Sequence, residues 1–497
     1  MRQLLFIPVF LLCISAVHPQ SLPPQLYPDS KHAPFSQGIA SGDPMTDRVM
    51  LWTRVDGLGP DERAELIWQV AADSMFVQLI ATGNTVAKPN RDHCVHVDAV
   101  GLEPDFEYYY RFGTSAGIFS AVGRVRTLPE ETDHVKLAVF SCASIWAGYF
   151  NAYRMAASNH NIDFIVHLGD YVYDYPDERQ LNRMPPFEQN DVTNLEEWRE
   201  RHRYYLLDAD LRIARQNKTW IAMWDNHDID VPDKSRTGEA IQAFYEYLPI
   251  RMPDSLHPER LYRSFAFGKL ATLHMLDMFY FRGQETHPDG DLSVLGLQQE
   301  AWLDQQLRQS SATWQLLGNQ EIMSDWLSQG TPKFIRNRRG NGKVFDPGNW
   351  NGFPQARERL FQTLEELSLR NTIVLSGDMH MTFFMELTSW PNCKELYHPR
   401  RAPGSLGVEI AGPSVSRVNM REAGVPVVLL PIIKGISNRA NPHHSWVNFG
   451  RHGYFTVDLT AEKAEVDVWF VPIDRMTDQE KLGKRMTVLT GEGHWQR

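Results

Sequence analysis

The sequence predicts a mixed α/β protein in two parts, a small all-β unit followed by a large region where strands alternate with helices. Three observations predict it. From residue 134 onward, apolar β-branched runs recur between segments of helical period. Before residue 128, short alternating runs are separated by turn residues at sandwich-like intervals. Between the two, Leu128-Pro129-Glu130-Glu131-Thr132-Asp133 reads as a polar linker. A length of 497 residues fits two domains, and an apolar share of 42% is ample for a packed core.

The elements follow in order. Arg2, the apolar run Leu4 to Val17 and the small residues Ser15 and Ala16 read as an export signal over residues 1–18. The run is too short to span a bilayer. Leu11 and Leu12 before Cys13 argue against a lipid anchor, and no twin arginine is present. The expected location is therefore periplasmic or extracellular, with folding and any metal loading after transport. Residues 33–128 carry the strand patterns Val49–Trp52, Leu66–Val70 and Val95–Val97. Within them, Leu102-Glu103-Pro104 followed by Tyr108-Tyr109-Tyr110 resembles the tyrosine corner of fibronectin type III-like domains, and the aromatic run reads as core.

The large region, 134–475, offers strand candidates at Val135–Phe140, Phe164–Leu168, Trp220–Trp224, Ala271–Leu276, Trp314–Leu317 and Thr372–Leu375. Helical patterns fall at Asn151–Ser158, Leu195–Arg215, Glu239–Leu248, Leu297–Gln309 and Pro354–Leu369. The near-continuous apolar runs suggest strands covered on both faces. Further strands are expected at Phe383–Leu387, Val408–Ala411, Tyr454–Leu459 and Val466–Val471, and residues 476–497 read as a tail.

A formal charge of −11 without a basic stripe argues against nucleic acid as a partner. Removing the signal leaves Cys94, Cys142 and Cys393, an odd number, so at least one is unpaired or otherwise engaged. A Cys94–Cys393 disulfide and two buried thiols are both compatible with the sequence.

Four strand candidates end in residues able to bind metal or move protons. Lys136–Phe140 runs into Ser141-Cys142. Phe164–Leu168 runs into Gly169-Asp170, with Tyr173 three residues on. Trp220–Trp224 ends in Asp225-Asn226-His227-Asp228, and Thr372–Leu375 in Ser376-Gly377-Asp378-Met379-His380. The carboxyl ends of strands are where open α/β sheets place ligands. Each segment alone has a plain alternative: a buried cysteine, a turn aspartate, a loop histidine held by a carboxylate. Four together favour a site. A carboxylate beside a phenol suggests a cation of high charge density, with Fe(III) the natural case, because tyrosine otherwise keeps its proton to about pH 10.

Gly-Asp-x-x-Tyr, then Asn-His-Asp, then Gly-Asp-x-His resembles the calcineurin-like metallophosphoesterase superfamily. Within it the chain is similar to the PhoD-type alkaline phosphatase and phosphodiesterase family. Gly38-Ile39-Ala40-Ser41-Gly42-Asp43-Pro44, Leu51-Trp52-Thr53-Arg54, Trp350-Asn351-Gly352-Phe353-Pro354 and Asn441-Pro442-His443 through Gly453-Tyr454 extend the likeness over nearly everything after the signal. The resemblance implies a two-sheet αββα sandwich with metals at the strand ends. It implies an exported phosphoric ester hydrolase acting on phosphomonoesters or phosphodiesters through metal-activated water. Carried over, Cys142, Asp170, Tyr173 and His380 surround an iron. Asp170 bridges to Ca(II) or another divalent ion, with Asn226 and Asp378 as oxygen ligands. His227 faces the phosphate as general acid or electrostatic donor, oriented by Asp228.

The chain departs from the family pattern at three places. Asn226 stands where an aspartate is usual, Phe279 where an arginine is expected (Arg282 is kept), and Asn351 where another aspartate is usual. A purple-acid-phosphatase-like enzyme is the rival reading, disfavoured by Ser141-Cys142 on the first strand and Gly-Asp rather than Gly-His in the last motif. A non-catalytic secreted binding protein is the other. His167, His274 and Asp277 read as core or supporting residues. Gln320 reads equally as supporting or near-site, His443 and His444 equally as exposed loop polarity or as reaching the cleft, and the Arg336, Arg338, Arg339 run as a solvated loop, with a weaker alternative of holding anionic substrate beside the metals.

Overall fold

The computed structural model describes residues 26–175, 192–230, 233–328, 344–399 and 404–496. The expected signal at 1–18 and the Arg336–Arg339 run lie outside these. The first strands are β1 (Ile39–Gly42), β2 (Arg48–Arg54), β3 (Ala64–Ala71), β4 (Leu79–Ala87), β5 (Cys94–Val100), β6 (Glu107–Thr114) and β7 (Gly123–Arg126). The central ones are β8 (His134–Phe140), β9 (Phe164–His167), β10 (Thr219–Ala222), β11 (Arg263–Phe267), β12 (Ala271–Met275), β13 (Trp314–Asn319) and β14 (Thr372–Ser376). The last are β15 (Thr382–Leu387), β16 (Gly407–Ala411), β17 (His444–Asn448), β18 (Gly453–Thr460), β19 (Lys463–Phe470) and β20 (Lys481–Leu489). Helices are α1 (Asn151–Ser158), α2 (Leu195–Tyr205), α3 (Ala209–Asn217), α4 (Asn226–Ile229), α5 (Thr237–Tyr247), α6 (Leu297–Gln309), α7 (Pro354–Glu366) and α8 (Leu430–Ala440).

These strands form a mixed α/β fold with three sheets. One has the order β20-β19-β18-β8-β9-β10-β1-β2-β5, a second β11-β12-β13-β14-β16-β15-β17, and a third β4-β3-β6-β7. In the first, β8, β9, β10 and β1 run parallel; in the second, β12, β13, β14 and β16 do. Val139, Ile165 and Ile221 of the first sheet share one apolar cluster with Leu273, Leu316, Ile373 and Ile410 of the second. Leu317 and Val374 instead pack with Leu303 and Leu307 of α6 and with Leu360, Phe361 and Leu364 of α7. Side chains of β13 and β14 therefore enter two apolar layers, as their unbroken apolar sequences require.

The amino-terminal region is not the self-contained sandwich expected over residues 33–128. Its β1, β2 and β5 extend the large sheet, with β1 parallel to β10 (Ser41 opposite Thr219, Gly42 opposite Trp220). It still has two layers: Val49, Leu51, Val95 and Val97 face Leu66, Val70, Tyr110 and Phe112 in one cluster. Gly42 permits the junction, since a Cβ there would stand 2.5 Å from the Pro249 carbonyl oxygen. Next to it, buried Asp43 is held by Arg263 through both oxygens, at 2.6 and 3.1 Å. Tyr108 Oη accepts from the Glu103 amide at 2.8 Å, which fixes the corner around Pro104.

Two smaller differences have simple causes. The expected helix Leu195–Arg215 is two helices, because Asp208 caps α3 by accepting from the Leu211 amide at 2.8 Å. The expected tail 476–497 supplies β20, which pairs with β19 over its whole length. Lys481, Lys484 and Arg485 crowd the strand and its two leucines, Leu482 and Leu489, are exposed, which hid the alternation of buried Met486 and Val488.

Candidate metal centre

The loops leaving β8, β9, β10 and β14 converge. Cys142, Asp170 and His380 each offer a ligand atom within 4.8 Å of the other two, and Asp170, Asp225 and Asp378 do likewise. Asp170 belongs to both groups. Tyr173 Oη donates to Asp170 Oδ2 at 2.8 Å, so the phenol is held against the shared carboxylate.

The chain is bent to make this arrangement. Cys142 (φ 60), Asp170 (φ 54), Asp378 (φ 53) and His380 (φ 55) all lie in the left-handed region, costly for residues with a Cβ and concentrated at functional sites. Backbone hydrogen bonds lace the loops together: Cys142 N to Gly169 O (3.2 Å), Ala143 N to Asp170 O (2.9 Å) and Gly377 N to Gln320 O (2.7 Å). The two glycines of the Gly-Asp pairs serve close approach. A Cβ on Gly169 would lie 2.5 Å from the Asp225 Cβ, and one on Gly377 2.8 Å from the Ser141 Cβ.

The electrostatics are those of a cation site. Burial pushes the carboxyl groups of Asp225 and Asp378 well above the usual range, followed by the charge of Asp170 at Asp225 and by those of Glu321 and then Asp170 at Asp378. Burial and Asp170 likewise raise the Cys142 thiol and the Tyr173 phenol. Burial lowers His380 to about 3, so its ring is neutral. Its Nδ1 is bonded to the Val418 carbonyl at 3.0 Å and is therefore the protonated nitrogen. The lone pair then sits on Nε2, which is buried without a hydrogen-bond partner among the described residues. A buried imidazole lone pair beside a thiol and a carboxylate is costly unless a cation takes it, and the donor set fits one.

His227 reaches this centre differently from the expectation. Its Nδ1 pairs with Asp174 Oδ1 at 2.7 Å, and its ring lies 4.2 Å from that of Tyr173, centroid to centroid. Asp228 does not orient the ring. It is fully buried and accepts from the Val172 and Asp225 amides, both at 2.9 Å, closing the capping box of α4. Asn226 opens α4 directly after Asp225.

Three residues of this region went unread in the sequence: Asp174, which holds the His227 ring, Asp225 and Arg417. Asp225, passed over for Asn226, joins the carboxylate group. Arg417, in the loop after β16, places its guanidinium 4.6 Å from the Tyr173 ring centre. The signal for Arg417 was one more strand end, Gly407–Ala411, followed by a polar loop.

The remaining candidates are structural. Gln320 spends its side chain on the Leu276 carbonyl (2.6 Å) and the Met278 amide (3.0 Å). His167 pairs with Tyr153 (2.8 Å), His274 with Ser264 (2.7 Å), and Asp277 accepts from Trp224 Nε1 (2.9 Å). His443 and His444 both bond the Asp325 carbonyl. Asn351 accepts from the Trp326 amide and donates to Asn349 Oδ1, a pairing an aspartate cannot make. Arg282 pairs with Glu321 and spans its own turn to Phe279. Cys94, Cys142 and Cys393 are all free thiols, which excludes the Cys94–Cys393 disulfide here.

Comparison with known proteins agrees with this architecture. The family described as PhoD-like phosphatase matches residues 137–468, and the PhoD-like phosphatase amino-terminal domain matches residues 21–129. Alkaline phosphatase D of Bacillus subtilis (strain 168) is 30% identical over 491 residues, covering 90% of this chain and 79% of that protein. A solved structure described as the structure of PhoD superposes with a TM-score of 0.79 at 26% identity, covering 94% of this chain and 93% of that one. Fold, strand-end site and relatives together define a phosphoric ester hydrolase. The chain belongs to the PhoD-like phosphatase family.

Proposed function

We propose that the protein is an exported, metal-dependent phosphoesterase that hydrolyses phosphomonoesters, phosphodiesters or both. The observation that carries this reading is Asp170, one carboxylate common to two ligand groups of different chemistry. Cys142, Tyr173 and His380 with Asp170 would hold Fe(III), because thiolate, phenolate and imidazole suit iron. Asp170, Asp225 and Asp378, with Asn226 next in sequence, offer oxygens suited to Ca(II) or another hard divalent ion. Such ions supply Lewis acidity that makes water nucleophilic at neutral pH and offsets charge on phosphorus and the leaving oxygen.

The chain's own groups do the rest. His227 Nε2 gives a proton to the departing ester oxygen or donates to a phosphoryl oxygen. Asp174 holds the proton on Nδ1, so Nε2 remains the working nitrogen. The Arg417 guanidinium favours the phenolate form of Tyr173 and adds positive charge facing an anionic substrate. Loss of the Asn226 charge weakens the hard-cation side relative to an aspartate there, which permits divalent ions other than calcium.

Asp170→Ala and His380→Ala proteins, assayed with a panel of mono- and diesters under added Fe and Ca, test the assignment. Each is expected to lose activity, and full activity in both rules it out. A rate maximum well below neutral pH would move the protein toward the purple-acid-phosphatase reading.

A further inference from the structure

Beside the metal centre lies an apolar cavity of about 440 Å³. Its walls include Trp326, Met379, Met381, Met420, Val425 and Ile433, and among the described lining residues there is no Lys, Arg, Asp or Glu. Of its polar residues, Asn419 is already committed, donating to His452 Nε2 (3.0 Å) and accepting from the Arg421 amide (2.9 Å). The cavity is tied to the chemistry by sequence and contact. His380, whose Nε2 faces the cation position, forms part of its wall, and Met379 is the residue between Asp378 and His380.

Its rim is apolar as well. Between the wall residues Val425 and Ile433 run Val427 (60% exposed), Val428 (79%), Leu429 (43%) and Ile432 (58%). Contiguous exposed aliphatic residues beside a pocket mark a surface that meets an apolar ligand. The methionines give the walls a lining that adapts to flexible chains.

We propose that this cavity binds the apolar alcohol portion of the substrate, so that the preferred esters are amphiphilic: a phosphate at the metal centre and an alkyl chain in the pocket. The proposal rests on the phosphoesterase reading of the site. The occupant is the substrate's own tail because the wall and the ligand set share one turn, Asp378 to His380. A tail anchored there leaves its phosphate within reach of the cations, and the rim lets a longer chain extend outward.

The test is kcat/KM for methyl, butyl, hexyl and octyl phosphates and the corresponding methyl alkyl diesters, below their micelle concentrations. In the wild type, kcat/KM should rise about fourfold per methylene while the chain is being buried. Ile433→Gln and Met420→Gln should flatten that rise and leave the methyl esters within twofold of wild type. Ile433→Leu should keep it. Equal rates for methyl and octyl esters in the wild type, or a rise that survives in both glutamine variants, would overturn the proposal. If no ester is turned over, the phosphoesterase reading fails, and calorimetry with alkylphosphonates decides the pocket separately. Octylphosphonate binding at least tenfold tighter than methylphosphonate, with the difference lost in Ile433→Gln, supports it; equal binding overturns it.

Discussion

The two halves of the centre differ in kind although they share Asp170. On one side stand a buried thiol, a buried phenol and a half-buried imidazole, each drawn from a different loop. On the other stand carboxylates whose burial and mutual repulsion raise their proton affinity. The first half is specified by ligand type and steric fit, the second by charge. Under the proposed assignment, a cation on the first half would be hard to exchange, and one on the second would respond to ionic conditions.

The largest expected effect comes from removing what the halves share. Asp170→Asn should empty both metal positions and lower kcat by at least about a thousandfold, measured with metal content by elemental analysis. Retained metal in both positions would break the idea of a common ligand. Chelation comes next: a calcium-selective chelator should abolish activity reversibly while any visible tyrosinate absorption persists. Loss of both together would mean that the halves are not separable.

Tyr173→Phe should remove that absorption and cost about 10- to 100-fold in rate, because the hydroxyl bonded to Asp170 goes with it. An unchanged spectrum would reassign the phenolate. Asp174→Asn should cost a similar or smaller factor in kcat with metal content intact, since its carboxylate holds the His227 ring and is not among the grouped ligands. Asp228→Asn makes the informative contrast. It should lower thermal stability by about 1–3 kcal/mol, because asparagine keeps one acceptor oxygen and turns an amide donor toward the other backbone N–H, with a smaller effect on pH dependence than Asp174→Asn. Smallest in activity is Gly42→Ala, far from the centre. Its clash with the Pro249 carbonyl should cost about 1–3 kcal/mol of stability and leave the rate per folded molecule unchanged.

The strand ends were legible because buried parallel strands leave long apolar runs, and ligands follow them within two or three residues. What the sequence concealed was orientation. Asp225 and Asn226 are neighbours at a helix start, where one residue turns a side chain by about 100°, so the motif alone does not say which reaches the cluster. Asp228 looked like a partner for His227, yet the Asp-x-x-Asp spacing is also a capping box, and the backbone claims it. Asp174 directly follows Tyr173 and Arg417 lies in the loop after β16, and neither position by itself names the ring it meets. The parallel pairing of β1 with β10 joins residues about 180 apart in sequence, beyond any local pattern.

That pairing bears on how the polypeptide can be cut. A boundary drawn at Leu128–Asp133 looks like a natural place to separate two modules, but it severs one continuous hydrogen-bonded ladder. The carboxyl-terminal fragment would present the bare side of β10 in mid-sheet, and the amino-terminal one would lose the neighbour that fixes β1. Unpaired strand backbone of that kind recruits other chains. Anyone trimming this protein for expression should expect both pieces to be sticky, and the uncut chain to be the smallest well-behaved unit.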